Sequence, residues 1–588
     1  MCSNIRRFLA PLLAVFVAFA GFDAPAQSIN PQFIQSGTGA KPRTLQDKAR
    51  DVISIKDYQT GTSCDAAFGA AIAYAATVGG EVLIPTGTCS ITNNRTIASN
   101  VALRVQRGGA VDVDVSKTLT VKGEIIAPST SQIFIGSGIV LIVPPPSQVI
   151  HALWFTGKDI GAKINAAVKA VGSGAATINV GAGGYAFATQ IDLTNSSGIR
   201  LTSDRGSANS TGNIATTLTW TGGAGSGSAI KAPGSRAFEF DHLMLTYNNA
   251  SYNGNLLSLS SAGGLINTTG AHIHHARIGG QAGATSAARL IELNTTLNFT
   301  IDNTSMSYAA VGIGASGGSN NVISIGDGMW FDSTFTDAAV RAWGSAWRFG
   351  NFVAESSPDS GVPLTTFFKI APSGGVTGLS FNGGMFVDGR NGGGTLIDLS
   401  GGISAGISIH GVMASAASGT FLKASATSGA TSGLSASGNI VTGMATAFDL
   451  GKAYGVTLTG NSIRDLTTPW TGAEPINVLV AANDTDRTSS SGVTVANNAD
   501  IAISIPGSPN AGAGLLVVWI QQESGTCLIS LNGSAGTASK IADTFTSCDV
   551  AKNTGSRANI YWDAGSKTYR LQNKLGGART FSYQYLGR

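Results

Sequence analysis

Val322-Ile323-Ser324-Ile325-Gly326-Asp327, Ala346-Trp347-Arg348-Phe349-Gly350-Asn351, Gly378-Leu379-Ser380-Phe381-Asn382-Gly383, Gly406-Ile407-Ser408-Ile409-His410-Gly411, Gly433-Leu434-Ser435-Ala436-Ser437-Gly438 and Gly455-Val456-Thr457-Leu458-Thr459-Gly460 are six versions of one pattern. Each alternates apolar and small polar residues and then meets Gly, Asn or Asp. Aligning Ile325, Phe349, Phe381, Ile409, Ala436 and Leu458 gives steps of 24, 32, 28, 27 and 22 residues, and Phe240, Ile273 and Ile301 extend the series upstream. A short strand and a turn repeated in this way cannot bury its apolar face alone and must stack on its neighbours. Unequal steps fit strands in register joined by loops of unequal length. The pattern predicts an all-β fold, a parallel β-helix, with the anchors forming one inward column.

Composition agrees. Charged residues are 12% of the chain, about half the usual share, and glycine is 78 of 588 residues. The apolar fraction of 43% and the regular alternation argue for an ordered solenoid and against disorder. The net charge of +4 is small for this length, and beyond a basic stretch at Lys41–Arg50 no cationic cluster marks a nucleic-acid footprint.

The chain opens like a secretory signal, with Arg6 and Arg7, an apolar stretch from Phe8 to Phe22, and Ala24-Pro25-Ala26 before Gln27. Export with no membrane anchor after signal removal is the expectation. Four cysteines then remain, with three possible pairings; proximity favours Cys64–Cys89 and Cys527–Cys548, the alternative being free buried thiols. The organisation expected is a signal-like segment (1–26), an N-terminal arm (27–58), an N-terminal β segment (59–157), the β-helix (158–478) and a terminal β-sandwich (479–588).

A helical unit occurs twice. Ser63 or Asp65 can cap a helix whose Phe68, Ala71, Ile72 and Ala75 share a face before Gly79-Gly80, and Asp159 caps one bearing Ile160, Ile164, Ala167, Val168 and Val171 before Gly172. Short helices of this kind plug the open end of a solenoid.

The run Gly37-Thr38-Gly39-Ala40-Lys41-Pro42-Arg43-Thr44-Leu45-Gln46-Asp47-Lys48-Ala49-Arg50, leading into Asp51-Val52-Ile53-Ser54-Ile55-Lys56-Asp57-Tyr58, resembles the opening of tailed-phage tailspikes of the pectate-lyase-like superfamily. The helix, Gly-Gly, strand and Pro-x-Gly unit at 65–91 resembles the segment that comes next in those proteins. The chain departs after Tyr58, reading Gln59-Thr60-Gly61-Thr62-Ser63-Cys64-Asp65 with a single acid. The resemblance implies a right-handed β-helix, a homotrimer, and a polysaccharide partner such as capsule, lipopolysaccharide or exopolysaccharide, with a place on a virion tail or outside the cell.

Asp332, Glu355 and Asp388 follow the anchors Ile325, Phe349 and Phe381 at offsets of 7, 6 and 7. Strands of successive coils lie about 4.8 Å apart, so these carboxylates are expected in one column. Paired carboxyls at about 5 Å serve retaining glycosidases and at about 6.5–9.5 Å inverting ones. Solvated turn acids are the alternative. Trp330 and Trp343 are surface candidates for stacking on sugar, while Trp347, two residues from Phe349, reads as core. Arg341 and Arg348 would hold an acidic sugar or serve a lyase mechanism, the favoured alternative being ordinary surface pairing with Asp337 or Glu355. His272 and His274 flank Ile273 on one outward face, but no third ligand is evident, so neither metal nor other cofactor is expected. Asn483-Asp484-Thr485-Asp486 lacks the glycine and distal glutamate of a calcium loop and reads as a linker. The functional expectation is a glycoside hydrolase acting on bacterial polysaccharide, against a non-catalytic binding rod or a polysaccharide lyase.

Overall fold

The computed structural model describes residues 32–33, 43–44 and 52–587, apart from 145–147, 204–215, 261–266, 281–287, 318–319, 333–334, 356–365, 372–373, 389–393, 417, 426, 428–429, 465–467, 472–475, 482–483, 486–492, 504–512, 521–524, 533–535 and 544–547. The signal-like segment, most of the arm and the basic stretch outside Arg43–Thr44 fall beyond them. Among the described residues no helix is long and apolar enough to cross a membrane.

Three long sheets run side by side. The first starts at Val149–His151 and stacks parallel strands up to Ile476–Ala481; the second runs from Gly183–Phe187 to Asp484–Thr485; the third runs from Ile191–Asp192 to Thr468–Thr471. The chain visits first, second and third sheet in turn and then returns to the first, one rung higher. Crossovers between parallel strands wind right-handed, and the result is a right-handed parallel β-helix. The same three-faced plan, in sheets of only three or four strands, already operates from Val52–Ser54 to Ile139–Ile142.

The inward column holds over its whole length. Phe240, Ile273, Ile301, Ile325, Phe349, Phe381, Ile409, Ala436 and Leu458 are successive register partners in the first sheet. All are buried, and Trp347 is buried with them. The rings of Phe349 and Phe381 stack at 4.3 Å. Removing one such ring, as in F349A, costs about 3–5 kcal/mol because rigid neighbouring coils cannot collapse into the gap.

The glycine that opens the later repeats has a backbone reason. Gly378, Gly406, Gly433 and Gly455 have φ between 62° and 68°, in line with Val322 and Ala346, which adopt the same left-handed conformation at φ 56° and 55°. A Cβ at Gly406 would meet its neighbours at ordinary contact distance, so conformation and not space selects glycine there.

Helix α1 (Cys64–Val78) is N-capped by Ser63, whose hydroxyl accepts from Ala66 N, and ends at Gly79 with φ 75°. Asp65 is thereby released for another task. It is buried and accepts from Arg95 Nε at 2.7 Å and Nη2 at 2.8 Å, from Asn93 at 2.6 Å and from Thr92 at 3.2 Å. Gly69 sits mid-helix because a Cβ there would lie 2.4 Å from Arg95 Nη1. Helix α2 (Ile160–Val171) is capped by Asp159, whose Oδ1 accepts from Ala162 N at 2.9 Å while Oδ2 accepts from Ala188 N, Thr189 N and the Thr189 hydroxyl. The expected apolar faces of both helices are buried, with Val168 at the edge.

A second hydrophobic core, separate from that of the β-helix, lies in the terminal β-sandwich. Antiparallel strands Val493–Val495, Ala513–Ile520, Gly525–Asn532, Thr537–Asp543 and Arg579–Gly587 pack against a four-stranded sheet containing Ala558–Asp563 and Thr568–Asn573.

Cys64–Cys89 and Cys527–Cys548 are both bonded, with Cα atoms 5.4 and 6.2 Å apart. The first ties α1 to the strand Gly87–Ile91. Closing a loop of this length is worth about 3 kcal/mol. C64A/C89A should therefore unfold at markedly lower denaturant, and the four cysteines should resist alkylation until reduced; full alkylation of the native, unreduced chain would contradict the pairing.

Candidate functional site

Met329–Asp332 and Phe352–Glu355 are adjacent strands of the second sheet, and Asp332 stands opposite Glu355. In a strand, alternate residues share a face. Met329, Phe331, Phe352 and Ala354 point into the core, so Trp330, Asp332, Val353 and Glu355 share the outer face, and all four are half-buried. Two outward columns run along this flank. One carries Asp332, Glu355, Ser415, Thr442 and Arg464, with residue 387 at the register position between Glu355 and Ser415. The other carries Trp330, Val353, Met385, Met413, Ile440 and Ser462, of which Met413 and Ile440 are exposed. An apolar stripe thus lies beside a pair of carboxylates, on a flank whose contacts recur every rung.

Asp388 does not join that column. Val387 stands opposite Glu355, and Asp388 lies one residue past it, opposite Ala416; its side chain is outside the described residues. The coil of Ile325 carries an extra corner residue near Gly328, so Met329 pairs with Phe352 although it stands one residue farther from its anchor. The coil of Phe381 has no such insertion, and the same offset of 7 overshoots.

The remaining expected site residues are dispersed. Arg341 belongs to the third sheet, where Asp337 pairs with both Arg341 and Lys369. Its column, Glu292, Gly314, Arg341, Lys369, Asp398, Lys423 and Asp449, mixes both signs of charge. Trp343 sits at the corner between third and first sheets, half-buried against the core, and its carbonyl accepts from Trp347 Nε1 at 3.3 Å. Arg348 is exposed on the first sheet. None of the three shares the second-sheet flank with Asp332 and Glu355.

A second constellation lies on the first sheet and its corner. Glu239 stands opposite His272, and Asp241 opposite His274, which stands opposite Asp302. Contrary to the expectation that the histidine pair lacks further ligands, Glu239 lies 2.6 Å and Asp241 3.1 Å from His274. His272 Nε2 lies 2.9 Å from Asp302. Asp241 is buried, and Arg200 Nη2 donates to its Oδ2 at 2.5 Å. Burial pushes the Asp241 carboxyl up, but Arg200 and the neighbouring His274 and His242 outweigh it and hold the group below its ordinary value. The signal was present in the pairing of Phe240 with Ile273, since Glu239 and Asp241 flank the first as His272 and His274 flank the second.

No protein-family model matches the chain, and no curated protein matches it. The chain is similar in structure to phage tailspikes. A double mutant of the tailspike protein of E. coli bacteriophage HK620 is 13% identical, with a TM-score of 0.36, over 96% of this chain and 98% of that one. Mutants of the same tailspike in complex with a hexasaccharide and with a pentasaccharide are each 12% identical over the same shares, with TM-scores of 0.28 and 0.31. The β-helix itself rests on its own strand pairings.

Proposed function

We propose that the chain binds and cleaves a bacterial surface or extracellular polysaccharide along the outer flank of the second sheet. The observation that carries this reading is Asp332 opposite Glu355, with Trp330 and an apolar stripe beside them. Adjacent rungs set the backbones of the two residues about 5 Å apart; carboxyl groups that keep this spacing suit a mechanism in which one acts as nucleophile and the other as acid and base, with retention at the anomeric carbon. Trp330 offers an aromatic face to a sugar ring. The flat, repeating flank suits an extended polymer better than a small molecule.

A non-catalytic glycan-binding rod is the competing reading, favoured by the absence of a third carboxylate among the described side chains of that column. Incubating the full chain with purified capsule, lipopolysaccharide and exopolysaccharide separates the two. Cleavage is expected to release new reducing ends from one polysaccharide class; binding without new ends would favour the rod, and absorbance from an unsaturated uronate would identify a lyase. We further propose a homotrimer acting outside the cell or on a virion tail. Sedimentation should give a trimer-sized species, and a monomer alone in dilute solution would contradict this.

A further inference from the structure

Two residues past the inward anchor, the chain turns from the first sheet to the second. In many coils the residue there is left-handed: Asn303 at φ 42°, Gly383 at 90°, Gly411 at 63°, Gly438 at 63° and Gly460 at 62°. In two neighbouring coils it is a histidine, His242 at 53° and His275 at 48°. A left-handed backbone is disfavoured for a non-glycine residue, and such strain gathers at functional sites.

Both rings turn toward one buried oxygen. They stack with centroids 4.8 Å apart. His242 Nδ1 touches Asp241 Oδ1, and His275 Nδ1 lies 3.6 Å from it. His274 Nδ1 lies 3.1 Å from the same oxygen and 2.8 Å from His275 Nδ1. Asp241 is fully buried, and its Oδ2 is occupied by Arg200 and Thr202. Its Oδ1 accepts no hydrogen bond of acceptable geometry, although three ring nitrogens face it.

The surroundings fix the protons. Glu239 lies 2.6 Å from His274 Nε2. Donation of that N–H to the carboxylate leaves Nδ1 as the lone pair, the outer-shell arrangement typical of metal-bound histidine. Glu239 and Asp241 against Arg200 leave one net negative charge when the imidazoles are neutral, which favours a cation.

We propose that Asp241 Oδ1 and the Nδ1 atoms of His242, His274 and His275 bind a divalent transition metal, with zinc the best match to a four-member nitrogen and oxygen set. The ion joins two successive coils at the corner. The site is separate from Asp332 and Glu355 and does not depend on polysaccharide cleavage.

The test uses untagged full-length chain stripped with chelator and then titrated with zinc alone by calorimetry, with cobalt as a spectroscopic probe. One zinc per chain is expected, with cobalt absorption of a four-coordinate site, and zinc should raise the unfolding temperature. H242G/H275G retains a residue suited to the left-handed corner, as Gly411 does, and should fold alike by circular dichroism while binding zinc at least 100-fold more weakly. E239Q, which leaves all four ligands in place, should weaken zinc about 10–100-fold. Less than stoichiometric zinc on the wild-type chain, or unchanged affinity in folded H242G/H275G, would overturn the proposal. If H242G/H275G does not fold, E239Q decides, and unchanged affinity there would overturn it equally.

Discussion

Glu355→Gln is expected to lower polysaccharide cleavage about 10²–10⁴-fold while leaving binding of the same polymer within a few-fold, because a carboxamide keeps the shape of Glu355 but can neither attack an anomeric carbon nor carry a catalytic proton. Asp332→Asn should do the same from the opposite rung. The two substitutions should not add, since each removes one half of a pair that works together. Initial product, followed by NMR before mutarotation, should retain the anomeric configuration. Trp330→Ala belongs to a different class: it should weaken binding more than turnover, since a stacking platform serves ground state and transition state alike. If E355Q and D332N both cleave at the wild-type rate, these carboxylates are not the catalytic pair.

Asp65→Asn should destabilise the chain in a strongly pH-dependent way. The Asp65 carboxylate is only 4% exposed and is held by Arg95, Asn93 and Thr92. Burial alone raises its pKa, but the hydrogen bonds from Arg95, Asn93 and Thr92 and the charge of Arg95 outweigh burial and leave it below the ordinary 3.8. Removing one partner of a buried pair costs about 3 kcal/mol here, the low end of the usual range because Arg95 stays a quarter exposed. The lowered value sets the sign with pH. Its contribution is complete above the ordinary carboxylate pKa and disappears as pH falls through the lower, folded one. The gap in unfolding temperature between wild type and D65N should therefore be wide at pH 7 and close at the acid end. An equal gap at pH 7 and at pH 2.5 would show that Asp65 acts through packing and not through its charge.

The solenoid was legible because one physical demand repeats: every coil must place an apolar residue at the same inward point. Phe240 through Leu458 satisfy it despite steps that vary from 22 to 33 residues. Both helix ends and both disulfides were legible for similar local reasons, since caps, stops and short cysteine separations are properties of neighbouring residues. The face on which a residue emerges was not. Arg341, Trp343 and Arg348 lie within eight residues, yet the chain turns a corner between them, and they end on the third sheet, a corner and the first sheet. Asp388 was misplaced by one residue because a single insertion near Gly328 is invisible to an offset count. The histidine and carboxylate cluster was half-legible. His272 and His274 stand out as neighbours along the chain, but Glu239 and Asp241 needed the same outward-face argument applied one coil earlier.

The most direct test is a crystal structure of the E355Q chain soaked with the polysaccharide fragment that the wild type releases. Sugar residues should lie along the second sheet, one ring over Trp330 and the scissile linkage between Asp332 and position 355, with the chain continuing past Val353 and Met385. Sugar bound instead between subunits, on the third sheet or on the terminal sandwich, with the Asp332 flank empty, would contradict the assignment.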